Sequence, residues 1–378
     1  MTRGLARTIL ALACAGLAAG CGTQTATVAG AGPPPVTVPL STSLVTAQGT
    51  WAIAVMGGSA ASDNNFWQLF ARPTGASRWS LVTPKGVADN GGLVAAGTGT
   101  SLTVGFRPSQ NLAYSPLSTS TDTGKNWTPG LLDAGLADTP SAIAVAPSGR
   151  ALALLQDGTI QAAPTASAAA AGQWTRLTTR NALAASAPGR SCGLTSVHAV
   201  SFGPVMSPMA AGSCERPGVA GVFTYASGTW RSAGLALPAT FGRDQVQVLG
   251  LTADSGGDVA LLLAGNSLLA AWWTGTRWTV SDPVSAGTLH ATGFGASGSA
   301  WVLLGDGRAE TITGPGGSWQ ALPPAPPGTA TLAAPGRGAG SYEALAVSGS
   351  RLTVWRLAQR AWAKVQLITV PIQYGSSG

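Results

Sequence analysis

Catalysis needs nucleophiles, proton carriers or paired charges, and this chain holds few of each. Its 378 residues include two histidines, His198 and His290, and three glutamates, Glu215, Glu310 and Glu343. A serine nucleophile would need one of those imidazoles as base and a carboxylate behind it. The serine candidates, in Gly57-Gly58-Ser59 and Gly298-Ser299, lie in strand-turn settings and not at the strand-to-helix elbow that exposes a nucleophile. Two carboxylates across a cleft would suit glycoside hydrolysis. Most of the eleven aspartates instead occupy turn dipeptides, as at Asp157, Asp254, Asp282 and Asp306, where bonding to the local backbone accounts for them. No His, Cys or acidic cluster has metal-ligand spacing, so neither a metal nor another cofactor is expected. Segments such as Gly336-Arg337-Gly338 have no following helical pattern that would cradle a phosphate.

The elements that would position such residues begin after a targeting segment. Arg3 and Arg7 precede Thr8–Ala19, an apolar run of about a dozen residues, short of the roughly 20 a membrane span needs. Leu17-Ala18-Ala19-Gly20-Cys21 follows, and it resembles the lipobox of bacterial lipoproteins, with Ala18 where Leu is more usual. The resemblance implies a signal peptide over 1–20, acylation of Cys21 and attachment to the outer face of the cytoplasmic membrane. A secreted protein in which Cys21 is incidental is the alternative. Residues 21–43 are rich in Thr, Ala, Gly and Pro, including Pro33-Pro34-Pro35, and suit a tether. No later stretch reaches 18 uninterrupted apolar residues.

Export decides how the remaining cysteines read. Cys14 leaves with the signal and Cys21 takes the lipid, so Cys192 and Cys214 remain as an even pair in an oxidising compartment, where a disulfide is expected. His198 lies between them, but two cysteines and one histidine are not a zinc set. Net charge is +7, falling to +5 when Arg3 and Arg7 are removed, and the basic residues are scattered singly. That pattern, in that compartment, does not suit nucleic acid. Charged residues are only 9%, against about 25% in an average domain. Apolar residues reach 45%, enough for a sizeable core, and Gly 52 with Pro 25 makes the chain rich in turns.

Tryptophan reveals a repeat. Trp79, Trp127, Trp174, Trp230, Trp278, Trp319 and Trp362 recur at spacings of 48, 47, 56, 48, 41 and 43, each opening a short run after a turn. A period of 40–50 residues holding several strands means a β-propeller. The third unit reads as strands over 141–145, 151–155, 159–163 and 173–177, with Gln156-Asp157-Gly158 as a hairpin turn. Four strands per unit and seven units predict an all-β, seven-bladed propeller over 44–373, followed by a tail at 374–378. An outer-membrane barrel is the structural rival, disfavoured by the lipobox, the Trp period and the scarcity of polar lumen residues. The 56-residue spacing holds the Cys pair, which predicts a longer loop in the fourth unit stapled by Cys192–Cys214. Either terminus is a candidate to lock the ring.

Ser120-Thr121-Asp122-Thr123-Gly124-Lys125-Asn126-Trp127 resembles the Asp-box, Ser-x-Asp-x-Gly-x-x-Trp, of bacterial-neuraminidase-type repeats. Asp122 is expected to accept from turn amides, Gly124 to take a left-handed backbone, and Trp127 to pack between sheets. Degenerate copies end at Trp174, Trp230, Trp278 and Trp319; the copy at Trp362 has lost its Gly. The resemblance implies a structural role for these residues and no catalytic one. Sialidases share the repeat and use three arginines, a Tyr–Glu pair and an Asp. Phe106-Arg107-Pro108 approximates their arginine motif but lacks Ile and lies in the second unit. Tyr342 and Glu343 are strand neighbours that face opposite sides. The expectation is therefore a lipid-anchored, monomeric, non-enzymatic module binding an envelope protein or glycan, with a divergent sialidase-like hydrolase as the alternative. Trp67, Trp272 and Trp273 are candidate contact residues, for which packing between blades is the plainer role.

Overall fold

The computed structural model describes residues 43–46, 49–57, 65–84, 93–98, 101–106, 117–129, 140–165, 173–203, 205–254, 257–295, 298–334 and 342–371. They form seven antiparallel sheets, each a meander of four strands in sequence order. Blade 1 holds β1 (Ser43–Thr46), β2 (Gly49–Gly57), β3 (Asn65–Pro73) and β4 (Ser80–Leu81). Blade 2 holds β5 (Leu93–Thr98), β6 (Ser101–Phe106), β7 (Leu117–Ser120) and β8 (Thr128–Pro129). Blade 3 holds β9 (Ala142–Val145), β10 (Ala151–Leu154), β11 (Ile160–Ala163) and β12 (Thr175–Thr178). Two short helices follow, α1 (Arg180–Ala185) and α2 (Ala187–Cys192). Blade 4 holds β13 (Leu194–Phe202), β14 (Pro208–Cys214), β15 (Gly221–Ala226) and β16 (Thr229–Ser232). Blade 5 holds β17 (Val246–Asp254), β18 (Gly257–Ala264), β19 (Ser267–Trp273) and β20 (Trp278–Val280), with a fifth strand, β21 (Val284–Ser285), also on β19. Blade 6 holds β22 (Leu289–Phe294), β23 (Ala300–Leu304), β24 (Ala309–Ile312) and β25 (Gln320–Ala321). Blade 7 holds β26 (Thr329–Ala333), β27 (Glu343–Ser348), β28 (Arg351–Ala358) and β29 (Ala361–Thr369).

The blades close into a propeller ring, with the first strands of neighbouring blades approaching one another around the axis. Each blade buries both faces, because alternate side chains of a strand point to opposite neighbours. On β2, Trp51 and Ile53 pack toward blade 2, while Ala52, Ala54 and Met56 pack toward blade 7. The core is accordingly a series of slabs between blades, which is why the strands read as near-continuous apolar runs. The scarcity of charge follows from the same geometry.

Blade 1 begins at Ser43, one residue before the expected start of the propeller, and β29 ends at Thr369. The expected tail at 374–378 lies outside the described residues. No described strand pairs with a strand of another blade; residues 1–42 and 372–378, where the expectation of a locking terminus falls, lie outside the described residues. Blade 1 meets blade 7 through one backbone bond, Gly57 N to Gly349 O at 3.0 Å, an apolar slab and a polar joint described below. Two of the slab's members, Phe70 and Val354, are fully buried. The expected long loop of the fourth unit is the helical pair α1–α2, inserted before β13.

Candidate functional site

In an antiparallel meander the second and fourth strands of each blade end on one side of the ring, here the crossover end. The first and third strands end on the other. The clearest departure from the repeat is α1–α2 at the crossover end. Thr179 caps α1 through Oγ1, which accepts from Ala182 N at 3.1 Å, and Ser186 caps α2 by accepting from Gly189 N at 3.2 Å. A methyl group on Gly189 would lie 2.0 Å from Leu183 O, so the two helices meet at a distance only glycine permits. Leu183 is buried in the slab between blades 3 and 4. Gly193, at φ 68°, ends α2, and the Cys192–Cys214 disulfide ties that end to the end of β14.

Beneath this staple, β13 carries two bulges, between Leu194 and Ser196 and between Val197 and Ala199. The bulged backbone approaches β14 so closely that a methyl group on Gly212 would lie 1.7 Å from Ser196 O. Bulges re-aim side chains, and here they gather His198 with two serines. Its Nε2 lies 2.8 Å from Ser196 Oγ and 3.1 Å from Ser213 Oγ. Burial lowers the imidazole pKa, favouring the neutral ring. Both hydroxyls meet the same ring nitrogen, so the cluster is a hydrogen-bonding platform; among the described residues no carboxylate is bonded to the ring as the acid of a triad. The sequence flagged His198 only as a lone residue between two cysteines. The Ser196-x-His198 alternation was the available signal, but the bulges and the approach of Ser213 leave no mark in spacing.

At the opposite end the repeat tryptophans form a chain of joints. Each of the seven packs in the slab between its own blade and the preceding one. Trp278 donates its indole N–H to Ala233 O at 2.9 Å, Trp319 to Ser281 Oγ at 3.3 Å and Trp362 to Pro323 O at 3.2 Å. Every one of these acceptors lies three or four residues past the preceding repeat Trp. Trp127 and Trp230 have buried indole N–H groups with no such acceptor. In the Asp-box turn, Asp122 Oδ1 accepts from Asn126 N at 2.9 Å and from Ser120 Oγ at 2.8 Å, and Oδ2 accepts from Asn126 Nδ2 at 2.6 Å. These bonds, the Asn126 amide first, hold the Asp122 pKa down to about 2. Gly124 has φ 85°, and a methyl group there would lie 2.8 Å from Val82 Cβ of blade 1.

Trp79 breaks the pattern, because its acceptor is charged. Its Nε1 donates to Glu343 Oε2 at 2.7 Å, across the seam between blades 1 and 7. Glu343 Oε1 takes Arg356 Nη2 at 2.8 Å and Arg72 Nη1 at 3.2 Å, while the carboxylate itself is 1% exposed. Gln366 adds two bonds to the Trp79 backbone, each 2.8 Å. The Arg72 pKa is lowered, by burial first, against the raising effect of Glu343. A hollow of about 130 Å³ lined by Thr46, Thr50, Arg72 and Thr74 opens beside this joint, below the roughly 300 Å³ at which small-molecule sites begin. Tyr342 turns the other way, its hydroxyl meeting Thr311 of blade 6. Strand alternation thus separates Tyr342 from Glu343, as their adjacency in sequence requires.

One buried acid escaped the sequence reading. Asp258 on β18 is 3% exposed, its Oδ1 has no partner, and burial pushes its pKa up to about 7. Asp157 and Asp306 hold hairpin turns, accepting from Thr159 N at 2.8 Å and Arg308 N at 3.0 Å. Trp67 and Trp272 are buried, and half-buried Trp273 lies 5.7 Å from the Trp278 ring. Among the described residues no group of three His, Cys, Asp or Glu could hold a metal ion. Cys21, Ser59, Arg107 and Gly336–Gly338 lie outside the described residues.

No family model and no curated protein matches the sequence. Solved structures do resemble the fold. A protein from Bacteroides uniformis provisionally labelled a 6-phosphogluconolactonase superposes with TM-score 0.53 at 13% identity, over 86% of this chain and 97% of its own. A protein from Lactobacillus plantarum gives 0.51 at 12% identity, over 86% and 97%. The structure of YCF48 bound to D1 peptide gives 0.46 at 13% identity, over 91% and 95%. These likenesses show the propeller fold alone.

Proposed function

We propose that this chain is an exported, lipid-anchored propeller of the Asp-box type that acts as a non-enzymatic binding or scaffold module for a protein or glycan. One observation carries the reading. Where charged side chains meet among the described residues, they meet each other: Glu343 with Arg72 and Arg356 in a joint between blades, and Asp306 with Arg308 within a hairpin turn. Two guanidiniums, of Arg72 and Arg356, converge on one carboxylate, and that carboxylate is the protein's own Glu343. The binding surface on this reading is the crossover end of blade 4, where a disulfide holds a helical insertion above the hydroxyl and imidazole groups of Ser196, Ser213 and His198. The lipid anchor rests on the Leu17–Cys21 motif, and the monomeric state on the propeller's self-contained ring.

The test has two arms. Aryl sialosides and related glycosides are incubated with the purified full chain, and a photo-crosslinking residue is placed at Asn181 or Ser191 in cells. The expected result is no turnover, together with a discrete crosslinked product from the insertion positions. Turnover abolished by His198→Ala or Glu343→Gln in a folded variant would overturn the non-enzymatic reading.

A further inference from the structure

The outermost strands of six blades are short. β4, β8 and β25 span two residues each, β20 three, and β12 and β16 four. β29 spans nine residues and, among the described residues, pairs on one side only, with β28. A long edge with one ladder unpaired presents a row of backbone donors and acceptors to an extended chain. Folded proteins guard such edges with proline, charges, a bulge or a covering element, and of these β29 carries a bulge at Val365, which leaves the ladder regular over Gln366–Thr369. β29 has no proline and a single charge, Lys364. A bulge marks Val365, which is 43% exposed, and Leu367 is 46% exposed. Leu81, 38% exposed, lies two residues past Trp79, whose backbone N–H and C=O are both held by Gln366 of β29. Three of the four large apolar side chains exposed among the described residues thus belong to the rim at this seam.

The charge around the edge has one sign. Arg351, Arg360 and Lys364 lie on β28, its turn and β29, beside Arg356, which is paired with Glu343. The one carboxylate in residues 329–371 is Glu343, buried and already held by two arginines. We propose that the free edge of β29 takes up an extended, acidic segment of a partner protein as a fifth strand of blade 7. The backbone ladder would supply affinity, Val365 and Leu367 would contact alternate apolar side chains of the segment, and the basic hairpin would select acidic residues between them.

Charge disfavours the other occupants. A second copy pairing edge to edge would bring a second basic hairpin against the first. Residues 21–42 of this chain carry no charged side chain and include Pro33, Pro34, Pro35 and Pro39, which cannot donate to a ladder. An anionic lipid surface would answer the charge but leave the strand's backbone groups unpaired.

This inference concerns the rim and is independent of the reading of the crossover end. Amide hydrogen exchange over residues 361–369 of the full chain tests it, with an eight-residue alternating Glu–Val peptide and its Lys–Val counterpart as probes. The Glu–Val peptide should slow exchange there at least tenfold, and the Lys–Val peptide should not. Arg360→Glu combined with Lys364→Glu should invert that preference while exchange in β2 stays unchanged, showing that the ring is folded. Equal protection by both peptides, or none, overturns the proposal. So does protection in the free chain at the outward-facing amides of β29, those not bonded to β28, whether constant with concentration, meaning a segment of the same chain, or growing with it, meaning a second copy. Protection by phosphatidylglycerol vesicles in place of the peptide would assign the edge to a membrane and overturn it too.

Discussion

The indole N–H of Trp79 donates to Glu343 Oε2 at 2.7 Å across the seam between the first blade and the last. Trp278, Trp319 and Trp362 make the corresponding contact to uncharged acceptors. At the seam the acceptor also carries two guanidiniums, so this joint does what a continuous chain does elsewhere: it fixes one blade to the next. Removing one member of a buried ion pair leaves the others uncompensated, at about 3–5 kcal/mol. Glu343→Gln should lower the urea midpoint by the equivalent of about 3 kcal/mol. Arg356→Met, whose side chain is 40% exposed, should cost about 1 kcal/mol. An unchanged midpoint for Glu343→Gln would show that the apolar slab alone closes the ring.

Cys192 and Cys214 are 22 residues apart in sequence, and their bond encloses the end of α2 and the bulged β13. Replacing both by Ser should destabilise the chain by about 3 kcal/mol. The loss should appear first as faster amide exchange over 179–193, with the other blades still protected. Uniform loss of protection would mean the staple supports the whole ring.

Asp258 has its folded pKa raised by burial, from 3.8 to about 7. The folded state therefore binds a proton that the unfolded state has released, and stability falls as pH rises from about 4 to about 7. Asp258→Asn should flatten that slope and raise stability at pH 8 by about 2 kcal/mol. Urea unfolding at pH 4, 6 and 8 measures both effects; parallel profiles for the two proteins would contradict the assignment.

Asp122 is shifted the opposite way, to about 2, by hydrogen bonds from Asn126 and Ser120. Its contribution is present above about pH 4 and is lost as pH falls toward 2. Asp122→Asn should blunt the acid sensitivity of blade 2 and increase exchange at the Asn126 amide at neutral pH. Identical acid transitions in the two proteins would leave the turn without a pH-linked role.

Cys21 is the proposed lipid attachment point. Cys21→Ser should release the protein from the membrane fraction of the producing bacterium, and mass spectrometry of the parent chain should find a diacylated N-terminal cysteine. A membrane-bound Cys21→Ser protein would require another anchor.

The propeller was legible because its period is written in one rare residue. Tryptophan opens or precedes the fourth strand of each blade, and the slab it fills lies at the same place in each repeat. Strand positions in the third unit were readable for a related reason: hairpin turns such as Asp157-Gly158 punctuate apolar runs, and β10 and β11 fall within the expected 151–155 and 159–163. What spacing did not carry was anything set by contact between distant segments. Glu343 looked like one of three scarce glutamates, and its value as a joint depends on Arg72, 271 residues away. Ser213 reaches His198 only because Gly212 lets a bulged strand come close. Asp258 sits in a strand where polarity has no local explanation, and its burial follows from blade packing. The helices of the insertion are six residues each and need tertiary support, so the sequence showed a long connection without its form.

That no described strand is shared between blades bears on how such a chain can be rearranged. Every blade is one uninterrupted stretch, so a gene for this ring grows or shrinks by whole-unit duplication or loss without orphaning a strand. A permuted gene opening the ring between blades 5 and 6, with blades 7 and 1 joined by a connector like those between the others, would keep every described β-ladder. In that order the Glu343 cluster would become an ordinary internal contact, and the new gap, which has no buried carboxylate to bridge it, would become the point where the circle comes apart.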